Sequence, residues 1–80
     1  MNITILNLSR QTTAAELTEL FATYGTVLSC DIVMDKQSGL SKGFGFVRML
    51  NDEEGKAAIA SLHGKDFDGS RIRVKVVQSQ

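Results

Sequence analysis

Proline and tryptophan are missing from this chain, and cysteine occurs once, at Cys30. A lone cysteine excludes an internal disulfide and a zinc site built on several thiolates, and it fits a reducing compartment. No second His, Cys or carboxylate stands at a ligand spacing from His63, so neither a metal nor a cofactor is expected. An excess of one charge is also lacking: Lys+Arg number 9 and Asp+Glu number 9, for a formal net charge of zero. Domains that grip polyanions by bulk charge usually have a pI above about 9. Any anion site here must come from local placement of charge. No apolar run approaches the roughly 18 residues of a membrane span. The opening MNITILNLSR lacks the basic start and long apolar stretch of a secretory signal. These absences lead us to expect a soluble, cytoplasmic protein with no membrane partner.

What is present suits one small domain. The 80 residues are 42% hydrophobic, enough for one core and too many for a disordered chain. The pattern predicts a single domain over 1–80, with a core at about 2–77 and a short free tail at 78–80. Asn2 to Leu8 is β-branched and apolar and reads as a strand. Thr13 and Glu16 fit a capping box that opens a helix. Leu17, Leu20, Phe21 and Tyr24 then share one helical face, and Gly25 suits a left-handed stop. Val27 to Met34 reads as a second strand, with Cys30, Ile32 and Met34 of one parity. Asp35 to Ser41 is a polar hairpin loop, and Gly43 to Leu50 a third strand. Asn51 caps a second helix whose first turn is acidic. Gly55, Ala58, Ile59 and Leu62 share its inner face, and His63-Gly64 closes it. Asp66 to Ser70 is a turn, and Arg71 to Val77 a last strand of strict alternation.

The resulting order is β-α-β-β-α-β, an α+β chain whose two helices cover one side of a four-stranded antiparallel sheet. Parity decides what faces the other side. In the last strand Ile72, Val74 and Val76 go to the core, so Arg71, Arg73 and Lys75 point out. In the third, Val47 and Met49 inward leave Lys42, Phe44, Phe46 and Arg48 outward. The reverse choice buries Lys42 and Arg48 unpaired, which costs far more than exposing two rings. In the first strand Thr4 and Leu6 share the open side. Aromatics are scarce, so two of four phenylalanines on one exposed face, flanked by cations, need a ligand. Single-stranded nucleic acid fits: bases stack on phenyl rings at about 1–3 kcal/mol each, and Lys or Arg meets phosphate.

KGFGFVRM, Lys42 to Met49, resembles the octapeptide signature of the RNA-recognition motif, and ITILNL, Ile3 to Leu8, resembles its hexapeptide. The likeness runs over almost the whole chain, through the DKQSG loop, the Ala58-Ile59…Leu62…Gly64 helix ending and Phe67…Gly69…Ile72…Val74. It implies a ferredoxin-like sandwich that binds single-stranded RNA, with single-stranded DNA as a possible substitute. By size the chain looks like the small single-domain RNA-binding proteins of bacteria. The resemblance implies that Phe46 stacks on a base, Phe44 packs against sugars and Lys42 meets a phosphate. It implies that Arg71, Arg73, Lys75 and the tail Gln78 to Gln80 track the backbone or touch base edges. Two departures stand out. Thr4 occupies the hexapeptide position that is usually aromatic, and Met49 ends the octapeptide in place of an aromatic, at a core position.

Plainer readings apply elsewhere. Cys30 has core parity and reads as a small buried hydrophobe. Asp31, on the open face, is expected to pair with a neighbouring Arg or Lys. His63 suits the last helical carbonyls. GFG lies in a strand without a following helix, so it is not a phosphate loop. Glu53-Glu54 and Asp66/Asp68 belong to a helix start and a turn, and no nucleophile or base stands in a concave setting, so no enzyme is expected. The alternative function is a protein-interaction face, or a weak homodimer, using the same surface.

Overall fold

A computed structural model of the chain describes residues 1–77. The expected tail at 78–80 lies outside the described residues. β1 (Asn2–Leu6) ends two residues before the alternating pattern does. Asn7 turns there into left-handed backbone at φ 59°, and its Nδ2 donates to the Arg71 carbonyl at 2.7 Å. Leu8 is still buried. α1 (Ala14–Ala22) opens on the expected capping box: the Glu16 N–H donates to Thr13 Oγ1 at 3.2 Å and the Thr13 N–H to Glu16 Oε1 at 3.0 Å. Leu17 and Phe21 carry its buried face. Tyr24 lies past the last turn yet packs on the core. Gly25 is not the left-handed stop: it is absent from the positive-φ residues, and Thr23 ends the helix in ordinary αR geometry. A Cβ at Gly25 would overlap the Glu54 side chain, so a close approach explains the glycine.

β2 (Val27–Met34) and β3 (Ser41–Met49) form a hairpin whose loop is organised by Asp35, with Oδ1 accepting from the Gln37 and Ser38 amides. Two irregularities in its register matter. Val27 pairs with Met49 and Ser29 with Arg48, so Leu28 is an extra residue on β2. This bulge lets both Val27 and Cys30 pack against the core although their parities differ. Further along, Ile32 pairs with Gly45 but Met34 with Ser41, which leaves Lys42 to Phe44 opposite Val33. Gly43 takes φ 87° there. Past this second bulge Ser41 keeps the inward parity of β3, but its partner Met34, expected inside, is 51% exposed.

α2 (Asp52–Leu62) is capped by Asn51, which accepts from the Glu53 and Glu54 amides. The expected turn at Asp66 to Ser70 and last strand at Arg71 to Val77 together resolve into three short strands. β4 (Asp66–Phe67) and β5 (Ser70–Arg71) make a hairpin of their own around Asp68-Gly69, both at positive φ as a two-residue turn requires. Ile72 then bonds to the segment before it, its N–H donating to the Lys65 carbonyl and its C=O accepting from Gly64. β6 (Arg73–Val77) follows and joins the main sheet.

The main sheet runs β2-β3-β1-β6, every neighbour antiparallel. Ile3, Ile5, Val47, Met49, Ile72 and Val74 meet Leu17 and Phe21 of α1 and Ala58 and Leu62 of α2 in one core. Both helices therefore cover one side of the sheet, as expected. Val76 departs from expectation at 44% exposed. It sits near the end of an edge strand, at the rim of the core, where it lines an open apolar groove with Met1 and with Lys56, Ile59 and Ala60 of α2. His63 also differs: its Nδ1 accepts from the Val74 N–H at 3.1 Å, which satisfies the edge of β6 instead of helical carbonyls.

Candidate nucleic-acid interface

The uncovered side of the sheet can be read row by row from its register. Thr4 pairs with Phe46 on one side and Lys75 on the other, and Phe46 pairs with Asp31. One row is thus Asp31, Phe46, Thr4, Lys75, roughly 14 Å across at ~4.8 Å per strand. The adjoining row is Ser29, Arg48, Asn2, Val77. Toward the other end Leu6 pairs with Arg73, and Phe44 is the next outward residue of β3.

Phe46 is 44% exposed and Phe44 half-buried. Their ring centroids lie 6.2 Å apart at 89°, an edge-to-face pair. Perpendicular rings cannot both offer a flat face to the same stack of bases. One suits stacking, and the other stands against whatever lies beside the stacked base. The close pairing of β2 with β3 that holds Phe46 requires Gly45: a Cβ there would lie 2.6 Å from the Asp31 carbonyl oxygen.

Thr4 and Leu6 are half-buried on this face. The Thr4 hydroxyl lies 3.5 Å from the Gly45 carbonyl, a long contact that leaves it available to a ligand. Lys42, Arg48, Arg73 and Lys75 are all exposed around the rings. Lys42 rides on the β3 bulge, which is pinned by the Gly43 carbonyl accepting from the Leu8 N–H at 2.8 Å and the Gly43 N–H donating to Ser41 Oγ at 3.0 Å. Arg71 is the exception among the expected residues. It belongs to β5, outside the main sheet, with Nε 3.7 Å from Asp66 Oδ1. Asp31 also departs from expectation. The ion pairs among the described residues are Arg71–Asp66 and the Met1 ammonium with Asp52, so Asp31 makes none.

Sequence parity missed Arg10, because a loop residue has no strand register. Its Nε lies 3.5 Å from where a Gly43 Cβ would be, which places a further cation at the β3 bulge. Asn2, Ser29 and Val77 were missed as well: with Asp31, Phe46, Val47 and Arg48 they line a hollow of about 260 Å³. Only the paired register of four strands brings them together. Cys30, behind the face, is half-buried. Burial pushes its thiol above the ordinary range, a hydrogen bond with Thr18 acts against this, and the Asp31 carboxylate adds to it.

A ferredoxin-like sandwich with an open, aromatic and cation-flanked sheet defines a class of nucleic-acid-binding domain. Residues 3–73 match the family model for the RNA recognition motif, and the chain belongs to that family. It is 42% identical over 74 residues to glycine-rich RNA-binding protein 1 of Mycosarcoma maydis, covering 92% of this chain but only 42% of that relative. Among solved structures it resembles the crystal structure of RNA-binding protein PG1, at 35% identity and a TM-score of 0.95, with 100% of this chain and 96% of the other covered. It also resembles the chain in an Sxl-lethal protein/RNA complex, at 28% identity and a TM-score of 0.91, covering 99% of this chain and 47% of that one. The likeness to bacterial proteins rests on size alone; the relative just described is fungal.

Proposed function

We propose that this chain binds single-stranded RNA across the open face of the sheet, as a binding module that performs no reaction. The observation that carries this is the perpendicular Phe44–Phe46 pair on an uncovered surface ringed by Lys42, Arg48, Arg73 and Lys75. Phe46, the more exposed ring, stacks on a base; Phe44 packs against the adjoining sugars. The four cations contact phosphates or base edges, and Arg10 adds a charge beside the β3 bulge. Thr4 and Leu6 form the floor of a neighbouring base position that has no ring. The RNA-binding name of the fungal relative and the RNA complex among the structural neighbours support the reading. The protein-interaction alternative gains no observation of its own.

With few cations and one stacking ring absent, affinity is modest, on the order of micromolar. Stacking accepts any base, so selectivity is weak wherever no side chain reads a base edge. The same rings and cations suit single-stranded DNA, and competition between the two polymers measures the preference. We also propose cytoplasmic residence, on the free Cys30; fractionation tests it. The direct test of binding is the double variant Phe44→Ala/Phe46→Ala. It is expected to lose most RNA affinity while keeping a native circular dichroism spectrum. Parent-like affinity in a folded double variant would refute the proposal.

A further inference from the structure

Asp31 is out of place on a surface meant for phosphates. It is exposed, lies directly across from Phe46 in the β2–β3 register, and forms no ion pair among the described residues. The hollow beside Phe46 is lined by Asn2, Ser29, Asp31, Arg48 and Val77. Its volume of about 260 Å³ suits one planar group; drug-sized sites usually begin at ~300 Å³.

An ionised carboxylate accepts hydrogen bonds and donates none. It repels phosphate, so a ligand seated here has to bring donors. A base stacked on Phe46 turns one edge toward this hollow. Guanine carries two adjacent donors on its pairing edge, N1–H and N2–H, at the spacing of two carboxylate oxygens. Adenine and cytosine each offer a single exocyclic amine beside an acceptor nitrogen. Uracil offers one N–H between two carbonyls, which a carboxylate repels. Arg48, lining the same hollow, carries donors for the guanine O6.

We infer that Asp31 reads guanine at the base position over Phe46, with Arg48 as the second contact. This makes one position selective on an otherwise tolerant surface. The inference rests on the RNA-binding reading above and adds a base identity to it.

The test compares short uridine oligomers that carry one central guanosine, inosine, adenosine, cytidine or uridine. The guanosine oligomer is expected to bind the parent protein roughly 5- to 150-fold more tightly than the all-uridine one, the range of a bidentate base contact. Inosine, which lacks the N2 amine, should lose part of that advantage. In Asp31→Asn the side chain presents one acceptor and one donor, which suits the uracil edge, so the guanosine advantage should collapse. A guanosine advantage unchanged in Asp31→Asn would overturn the inference. So would equal binding of all five oligomers by the parent while Phe46→Ala still weakens them; in that case the RNA-binding reading stands alone. Failure of every oligomer to bind would overturn both.

Discussion

Thr4 occupies the centre of the open face, between Phe46 and Lys75. It is the residue at which this chain gives up a stacking partner. Thr4→Phe should restore one and tighten RNA binding by about 1–3 kcal/mol, read by isothermal titration. An unchanged or weaker affinity would show that no base passes over this position. The cations divide just as sharply. Arg73 and Lys75 belong to β6, whereas Arg71 sits in a separate hairpin against Asp66. Arg73→Ala or Lys75→Ala should lower the slope of log affinity against log salt by about 0.7, the value for one phosphate contact on a single strand. Arg71→Ala should leave that slope alone. Alternation along the final run read Arg73 and Lys75 as outward, and the structure agrees. It could not separate Arg71 from them, because the break at Ile72 is made by backbone bonds to Gly64 and Lys65. Those partners are distant from any local pattern.

At the scale of elements, the legible features were those carried by local chemistry. The Thr13–Glu16 capping box, the Asn51 cap and the Asp35 loop each need only a few consecutive residues, and each is present. The features that escaped arise from pairing. Leu28 shifts parity within β2, and two extra residues of β3 between Gly45 and Ser41 widen the far end of the hairpin, where Met34 ends outside the core. Val76 keeps its expected parity but lies at the rim of the sheet, in an open groove beside α2 that leaves it 44% exposed. Gly45 shows the same dependence on partners: read as part of a motif, it proves to be a packing requirement, since a methyl group would meet the Asp31 carbonyl of the adjacent strand. Gly45→Ala should cost about 1–3 kcal/mol of stability, as overpacking does, and lower the urea midpoint. A midpoint equal to the parent's would mean that β2 shifts freely, and the hollow beside Phe46 would then not be a fixed shape.

For the whole molecule, zero net charge conceals a division between the two sides. The open face carries Lys42, Arg48, Arg73 and Lys75 against one acid, Asp31. The helices carry Glu16 and Glu19 on α1 and Asp52, Glu53 and Glu54 on α2, against Lys56. A neutral chain can thus present a cationic surface to a polyanion and an acidic back that discourages the wrong approach. The same two-sidedness gives the account its most direct measurement, an NMR titration of the backbone amides with a short single-stranded RNA. The expected perturbations concentrate on β1 and β3 around Thr4, Phe44 and Phe46 and extend to Arg73 and Lys75, while the amides of α1 and α2 stay in place. Perturbations confined to the helical side, with the amides of Phe44 and Phe46 unmoved at saturation, would contradict it.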